Sequence, residues 1–196
     1  MIRSFVCTMV LAAAALCGGC AHSITVGPDI AGLPRVGTDK LAKVAVAYYI
    51  SAEDRARKVK TGGGGGDSAE YLLYQDLEPA LYRVLSNRFA QVYALKAPDD
   101  QAFLEARAVR YVFTPRFSTT SSSSSLLTWP PTEFTLNIQA RAVDRERKPV
   151  WETEVSGSGS ATFTEFKSNF GLAAQRATTE AFLKLDAKLT EFPTAP

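Results

Sequence analysis

Phe134-Thr135-Leu136-Asn137-Ile138-Gln139-Ala140-Arg141-Ala142 is the stretch whose reading decides the fold. Apolar and polar residues alternate through it with a period of two, so one face of an extended strand is buried and the other is wet. Asp144-Arg145-Glu146-Arg147-Lys148-Pro149 follows as a charged turn, and Trp151, Thr153 and Val155 resume the pattern on a returning strand. The pair reads as an antiparallel hairpin. Ser156-Gly157-Ser158-Gly159-Ser160 extends its second arm toward Phe163 as a weak or bulged segment. Just upstream, residues 109–117 predict a third strand with Val109, Tyr111 and Phe113 on one side. Pro115 has no ladder donor, which predicts an edge or a bulge near the end of that strand.

Working outward toward the N-terminus, Lys43-Val44-Ala45-Val46-Ala47-Tyr48-Tyr49-Ile50 is short, β-branched and aromatic, with weak alternation. That pattern predicts a strand inside a sheet, covered on both faces. Asp67 with Glu70 three residues on predicts a helix start, and Leu73, Leu77, Leu81, Val84 and Leu85 then keep helical spacing. Pro79 bends this helix or falls in its first turn. Residues 91–95 give a second strand close enough to complete a βαβ unit. Pro98-Asp99-Asp100 opens a short helix through Phe103, Leu104 and Ala108. At the other end, Asn169 precedes a last helix whose Ala174, Ala177, Ala181, Leu185 and Leu189 share one face, and Pro193 stops it. The element order predicts an α+β fold: a two-layer sandwich, with a mixed, mostly antiparallel sheet and helices on one face.

The chemistry-bearing residues are sparse. His22 is the single histidine, and the three cysteines are Cys7, Cys17 and Cys20, so neither a zinc pattern nor a serine–histidine–acid triad is on offer. The carboxylates Glu53, Asp54, Glu78, Asp144 and Glu152 fall in loops, turns or on polar faces, with none set in an apolar run that would raise its pKa. The expectation is a protein that is not an enzyme and takes no cofactor or metal. A net charge of +2 implies no bulk attraction to nucleic acid. The glycine run at residues 62–66 is followed by Asp67 and Ser68 instead of the Lys-Ser/Thr of a phosphate loop, and an aspartate would repel phosphate, so no nucleotide is expected.

Two segments remain as candidate surfaces. The basic cluster Arg55, Arg57, Lys58 and Lys60 precedes the glycine run; it is either a solvated loop or a contact for an anionic glycan or lipid head group. Leu126, Leu127 and Trp129 follow a serine-rich run and precede Pro130-Pro131. They either fold back onto the core or present an exposed apolar patch to a partner or lipid surface.

The N-terminus supplies a third site. Arg3 heads an apolar run of about a dozen residues, which is the layout of an export signal and shorter than the roughly 20 residues a membrane span requires. Leu16-Cys17-Gly18-Gly19-Cys20 closes that run and resembles the lipobox of bacterial lipoproteins, although the aliphatic residue stands four positions before Cys20 and not three. The resemblance implies cleavage before Cys20, its acylation with palmitate or a similar chain, and attachment of the mature chain to a membrane through that lipid. Ala21 in the next position is similar to the outer-membrane address of such proteins, facing the periplasm. The implied organisation is a signal peptide at residues 1–19, a lipidated N-terminus and tether at 20–40, and one α+β domain at 41–192. An edge strand through Ile24 to Val26 is the alternative to a free tether. With the lipobox, the strand at 43–50, the helix to Phe89, the hairpin and the alanine-rich last helix, the chain resembles small outer-membrane lipoproteins of the YajG-like, LptE and LpoB types. That resemblance implies an accessory or binding subunit of a cell-envelope protein complex. The alternative is a direct binder of lipid, lipopolysaccharide or peptidoglycan.

Overall fold

The alternating stretch lies in a strand of a five-stranded mixed sheet and has an antiparallel neighbour on each side. The computed structural model describes residues 21–62, 68–123 and 132–193. In chain order its strands are Ala21–Ser23 (β1), Ala42–Tyr49 (β2), Val59–Gly62 (β3), Ser68–Tyr71 (β4), Phe89–Leu95 (β5), Val109–Ser122 (β6), Glu133–Val143 (β7) and Pro149–Ser160 (β8). Its helices are Ala52–Ala56 (α1), Leu73–Ser86 (α2), Gln101–Ala106 (α3), Phe163–Phe166 (α4) and Leu172–Leu189 (α5). The large sheet has the order β5-β2-β6-β7-β8, with β2 parallel to both β5 and β6, and β6-β7 and β7-β8 antiparallel. A small second sheet, β1-β4-β3, packs beside it. The α+β class read from the sequence is the class observed.

Helices α2 and α5 cover one face of the large sheet, and the main core lies between them. Val46 and Tyr48 of β2, Leu136 and Ile138 of β7, Leu77, Leu81 and Val84 of α2, and Phe182 and Leu185 of α5 all belong to it. At one end Phe192, just past α5, has its ring within 5.1–5.7 Å of the rings of Phe89, Tyr111, Phe113 and Trp151. At the other end α5 lies directly on the glycines of β8: a Cβ at Gly157 would strike the backbone of Ala177 and Ala181, and one at Gly159 that of Ala173 and Ala177. The serine–glycine segment, which the sequence leaves as weak or bulged, is a regular strand in register with β7 from Ser156↔Asn137 to Ser160↔Glu133. Small residues on both elements let a helix sit against a strand at backbone contact.

The short helix α3 lies on the opposite face, where Leu104 packs with Ala47, Leu95, Val109 and Val112. This gives β2 its two covered faces. It also corrects the expected placement of Val109: the register of β6 against β2 slips between the pairs Ala45↔Val109 and Val46↔Tyr111, so Val109 turns away from Tyr111 and Phe113. Pro115 is accommodated as its chemistry requires. The backbone N–H of Phe117, two residues on, points away from β7 to the Tyr74 hydroxyl (3.2 Å), and β2 pairs with β6 only as far as Phe113. Pro115 therefore occupies a position where no sheet neighbour needs a donor.

Three segments differ from their expected form. Glu70 does not cap a helix; Ser68–Tyr71 is β4, and α2 begins after Leu72. The span read as a basic loop contains α1, capped by the Ser51 hydroxyl accepting from the Asp54 N–H (2.9 Å), and then β3. Within the span read as a tether, Ala21–Ser23 is β1, and Ile24, Val26 and Leu33 are buried in the main core. Asp76 accepts the Val26 N–H (3.0 Å) and the Thr178 hydroxyl donates to the Val26 carbonyl (2.9 Å), which ties this segment between α2 and α5. The segment is anchored by backbone hydrogen bonds at Val26, which hydrophobic patterning cannot show.

Candidate binding face

With α3 covering only the β5-β2-β6 half, the outer face of β6, β7 and β8 stays open. Its exposed side chains follow from the strand alternation: Thr114 and Arg116 from β6, Gln139 and Arg141 from β7, Glu152 and Glu154 from β8. Register sets them in rows, Arg116–Gln139–Glu154 and Thr114–Arg141–Glu152. Arg116 and Arg141 are thus diagonal neighbours on one face, close enough for long side chains to meet a common group. Neither makes an ion pair or hydrogen bond among the described residues, and Gln139 reaches Glu154 at 3.5 Å.

Where the open face meets α3 there is a groove of about 520 Å³. Its floor includes Arg116, Gln139 and Arg141, with Leu104 and Val112 beneath, and its walls come from the Asp99 loop and the β7-β8 turn. That turn is rigid: Asp144 accepts the Lys148 N–H (2.8 Å), the Arg147 N–H donates to the Asp144 carbonyl (3.1 Å), and Arg147 takes a left-handed φ of 62°. Arg145 donates its Nε–H to the Val109 carbonyl (2.8 Å). Of the four exposed guanidiniums lining the groove, Arg116, Arg141 and Arg147 make no side-chain hydrogen bond among the described residues, and Asp99 and Glu152 are the uncommitted carboxylates at its rim.

The outer edge of β8 is closed in its C-terminal half. Arg176, Glu180 and Lys184 stand one turn apart on α5; Arg176 donates to the Ser160 carbonyl (2.7 Å), Glu180 accepts the Ser158 N–H (2.7 Å), and Lys184 donates to the Ser156 carbonyl (2.7 Å). Lys184 and the Ser158 N–H together hold the Glu180 carboxyl below the usual glutamate range. This ladder blocks strand addition along residues 156–160.

The basic cluster expected from the sequence is largely consumed by ion pairs. Arg55 makes a two-pronged pair with Glu78 (2.7 and 2.8 Å) and donates to the Ile50 carbonyl (2.6 Å); Glu78 also accepts from the Tyr48 hydroxyl (2.9 Å). The Arg55 hydrogen bonds depress the Glu78 pKa, while burial, reinforced by Glu78, pushes the Tyr48 hydroxyl well above its ordinary value. Arg57 pairs with Asp54 (2.8 Å) and Glu53 (3.3 Å), and Lys58 with Glu70. Lys60 is exposed on β3. Arg55 is thus a lock between α1, β2 and α2. Cys20, Leu126, Leu127 and Trp129 lie outside the described residues. Sequence reading missed the free pair Arg116 and Arg141; the alternation that puts Arg141 on the wet face was visible, but its neighbour across the sheet was not.

Among the described residues, α2 and α5 pack tightly on the sheet around Phe113. Between Leu81, Leu85, Phe113, Trp151, Leu185 and Leu189 only about 10 Å³ is left, no more than one water molecule needs. Among the described residues no group of His, Cys, Asp and Glu is placed to hold a metal ion, and no helix is long and apolar enough to cross a membrane.

The fold and face define a class, a two-layer α+β domain with an open polar sheet face. No protein-family model matches the chain, and no curated protein does. Among solved structures it is similar to protein XCC0632 from Xanthomonas campestris, of the family DUF330, at 12% identity over 89% of this chain and 96% of that one, with a TM-score of 0.45. It is also similar to a protein of Caulobacter crescentus CB15 provisionally described as a lipoprotein, at 14% identity over 74% of this chain and 88% of that one, with a TM-score of 0.36.

Proposed function

We propose that this is a non-enzymatic lipoprotein, acylated at Cys20 and held on the periplasmic side of the outer membrane, that serves as an accessory subunit of a cell-envelope protein complex. The observation that carries the choice of protein over lipid as its partner is the tight packing of α2 and α5 on the sheet around Phe113 and Trp151. A carrier of acyl chains has to shelter them from water, at about 0.8 kcal/mol per methylene, and the 10 Å³ left between these helices and the sheet does not hold one. What the molecule offers instead is surface: a rigid sheet face with a groove and free guanidiniums. The lipobox-like stretch Leu16–Cys20 supports the anchor.

Two measurements test this reading. Metabolic labelling with a palmitate analogue should mark the parent and not Cys20→Ser; label that persists in the variant sinks the lipoprotein assignment. Cross-linking in intact cells, followed by purification and mass spectrometry, should return one envelope protein in stoichiometric amount. Recovery of bound lipopolysaccharide, phospholipid or glycan strands without a protein would replace the accessory role by direct ligand binding.

A further inference from the structure

The position of the groove relative to the start of the chain says which way it faces. The described chain begins with β1 at Ala21, one residue after the proposed lipid. From there it enters the molecule beside the N-terminal end of α5: Thr25 lies where a Cβ on Gly171 would strike its carbonyl, and Val26 is bonded to Thr178. It then runs along the helices to their C-terminal ends, where Asn87 holds the Pro34 carbonyl (3.0 Å) and Asp186 (2.8 Å). Helix α5 itself runs from the Gly159 end of β8 toward Trp151, since Ala173 and Ala177 cover Gly159 while Leu185 and Leu189 meet Trp151. The entry point is therefore level with Phe134, the register partner of Gly159, and the groove is level with Arg141. At about 3.3 Å per residue along β7, the entry level is roughly 17–23 Å from the groove floor at Gln139 and Arg141. The groove also lies on the face of the sheet opposite the helices between which the chain enters. A lipid on Cys20 puts one end of the domain against the membrane without slack and the arginine groove at the other.

Resting on the lipoprotein reading, we propose that this groove is the docking site for an acidic, extended segment of the partner protein, with a carboxylate held between Arg116 and Arg141 and a second one near Arg147. Charge complementarity selects the ligand: these three guanidiniums have no carboxylate partner of their own among the described residues, and guanidinium–carboxylate pairs are bidentate and strong. Gln139 is the register partner of Arg116 and lies two residues from Arg141 on β7, where it supplies an amide for a peptide backbone. Distance from the membrane end disfavours a lipid head group, which carries a similar charge. Glu152 and Asp99 at the rim reject an all-anionic polymer and suit a segment that also carries a basic residue.

The test uses the full-length protein in detergent and a fluorescent extended peptide carrying two glutamates and one lysine spaced by glycines, read by anisotropy at low salt. The parent should bind it with an affinity that falls as salt rises, and Arg116→Ala with Arg141→Ala should weaken binding at least tenfold. Arg116→Lys with Arg141→Lys should recover part of it. Arg35→Ala with Arg83→Ala, on the helix side, should leave binding unchanged. No binding by the parent, or equal binding by the Arg116/Arg141 double variant, overturns the proposal. Binding of inorganic phosphate or of vesicles of phosphatidylglycerol and phosphatidylethanolamine that depends on the same arginines, when the peptide does not bind, overturns it in favour of a phosphate ligand. Failure of the Cys20→Ser labelling test would remove the membrane orientation without touching these peptide results, so the two readings fail separately.

Discussion

Substituting Gly157 by alanine isolates the contact that fastens helix α5 to the sheet. No left-handed φ is required at Gly157, so alanine fits the backbone there and the cost is purely one of space. The new Cβ would lie 2.9 Å from the Ala181 Cα and closer still to the Ala177 carbonyl oxygen and the Ala181 nitrogen. Carbon–carbon contacts are comfortable at about 3.5–4.0 Å, so α5 has to retreat by nearly an ångström. Because the obstacle is backbone, no rotamer change relieves it. The helix cannot tilt freely either, since Phe182, Leu185 and Leu189 are seated in the core beyond the contact. Overpacking of this kind costs about 3 kcal/mol at the upper end of its range, and the stiffer unfolded chain returns about 0.4–1 kcal/mol. The net loss is about 2 kcal/mol, which for a domain of this size is a melting point lower by about 4–8 °C. Differential scanning calorimetry beside urea unfolding reads both quantities. Ser158→Ala, whose side chain points to solvent, is the control and should stay within about 0.5 kcal/mol of the parent. A Gly157→Ala protein that melts at or above the parent would refute the backbone contact between α5 and β8.

Other outcomes follow from the same structure. Phe192→Ala empties the ring cluster formed with Phe89, Tyr111, Phe113 and Trp151, and should cost about 3–5 kcal/mol in urea unfolding. Glu78→Gln breaks the charge pair with Arg55 and should cost about 2 kcal/mol at pH 7. Because the folded pKa of Glu78 is depressed, its contribution is complete above the ordinary glutamate value and is lost as pH falls through the lower folded value. The difference between parent and Glu78→Gln should therefore shrink in unfolding curves taken from pH 6 down to pH 3, and a difference that stays constant would sink this account.

The hairpin of β7 and β8 was legible because each alternation is local: a residue's neighbours two positions away reveal which face it takes. The same logic set β2 inside the sheet and α2 and α5 on it. It failed where the deciding contact is distant in sequence. Glu70 followed three residues after an aspartate looks like a helix cap, yet its strand is stabilised by β1 on one side and β3 on the other, partners that lie about 47 and 10 residues away. Val109 shows the same limit on a smaller scale, since a single slip in register against β2 reverses the side it faces. The serine–glycine arm of β8 was read through the intrinsic weakness of glycine in a strand. Its stability comes from the opposite property: the absence of a Cβ is what lets α5 approach.

Charge is the least legible quantity of all, and the two arginine sets show why. Arg55, Arg57 and Lys58 form the densest basic run in this part of the chain, which is how a sequence announces an anionic ligand, and each of them is neutralised by a carboxylate from the fold. Two of those carboxylates, Glu70 and Glu78, lie 12 and 23 residues further along, on other elements. Arg116 and Arg141 stand alone in sequence, 25 residues apart, and become a pair only because β6 and β7 are antiparallel in the register Thr114↔Arg141 and Arg116↔Gln139. A guanidinium binds a partner when the fold leaves it uncompensated, not when it has many neighbours of its own sign. Free charge is thus a property of the sheet register, and it is the register that moves the candidate site from the basic run before the glycines to the open face of the sheet.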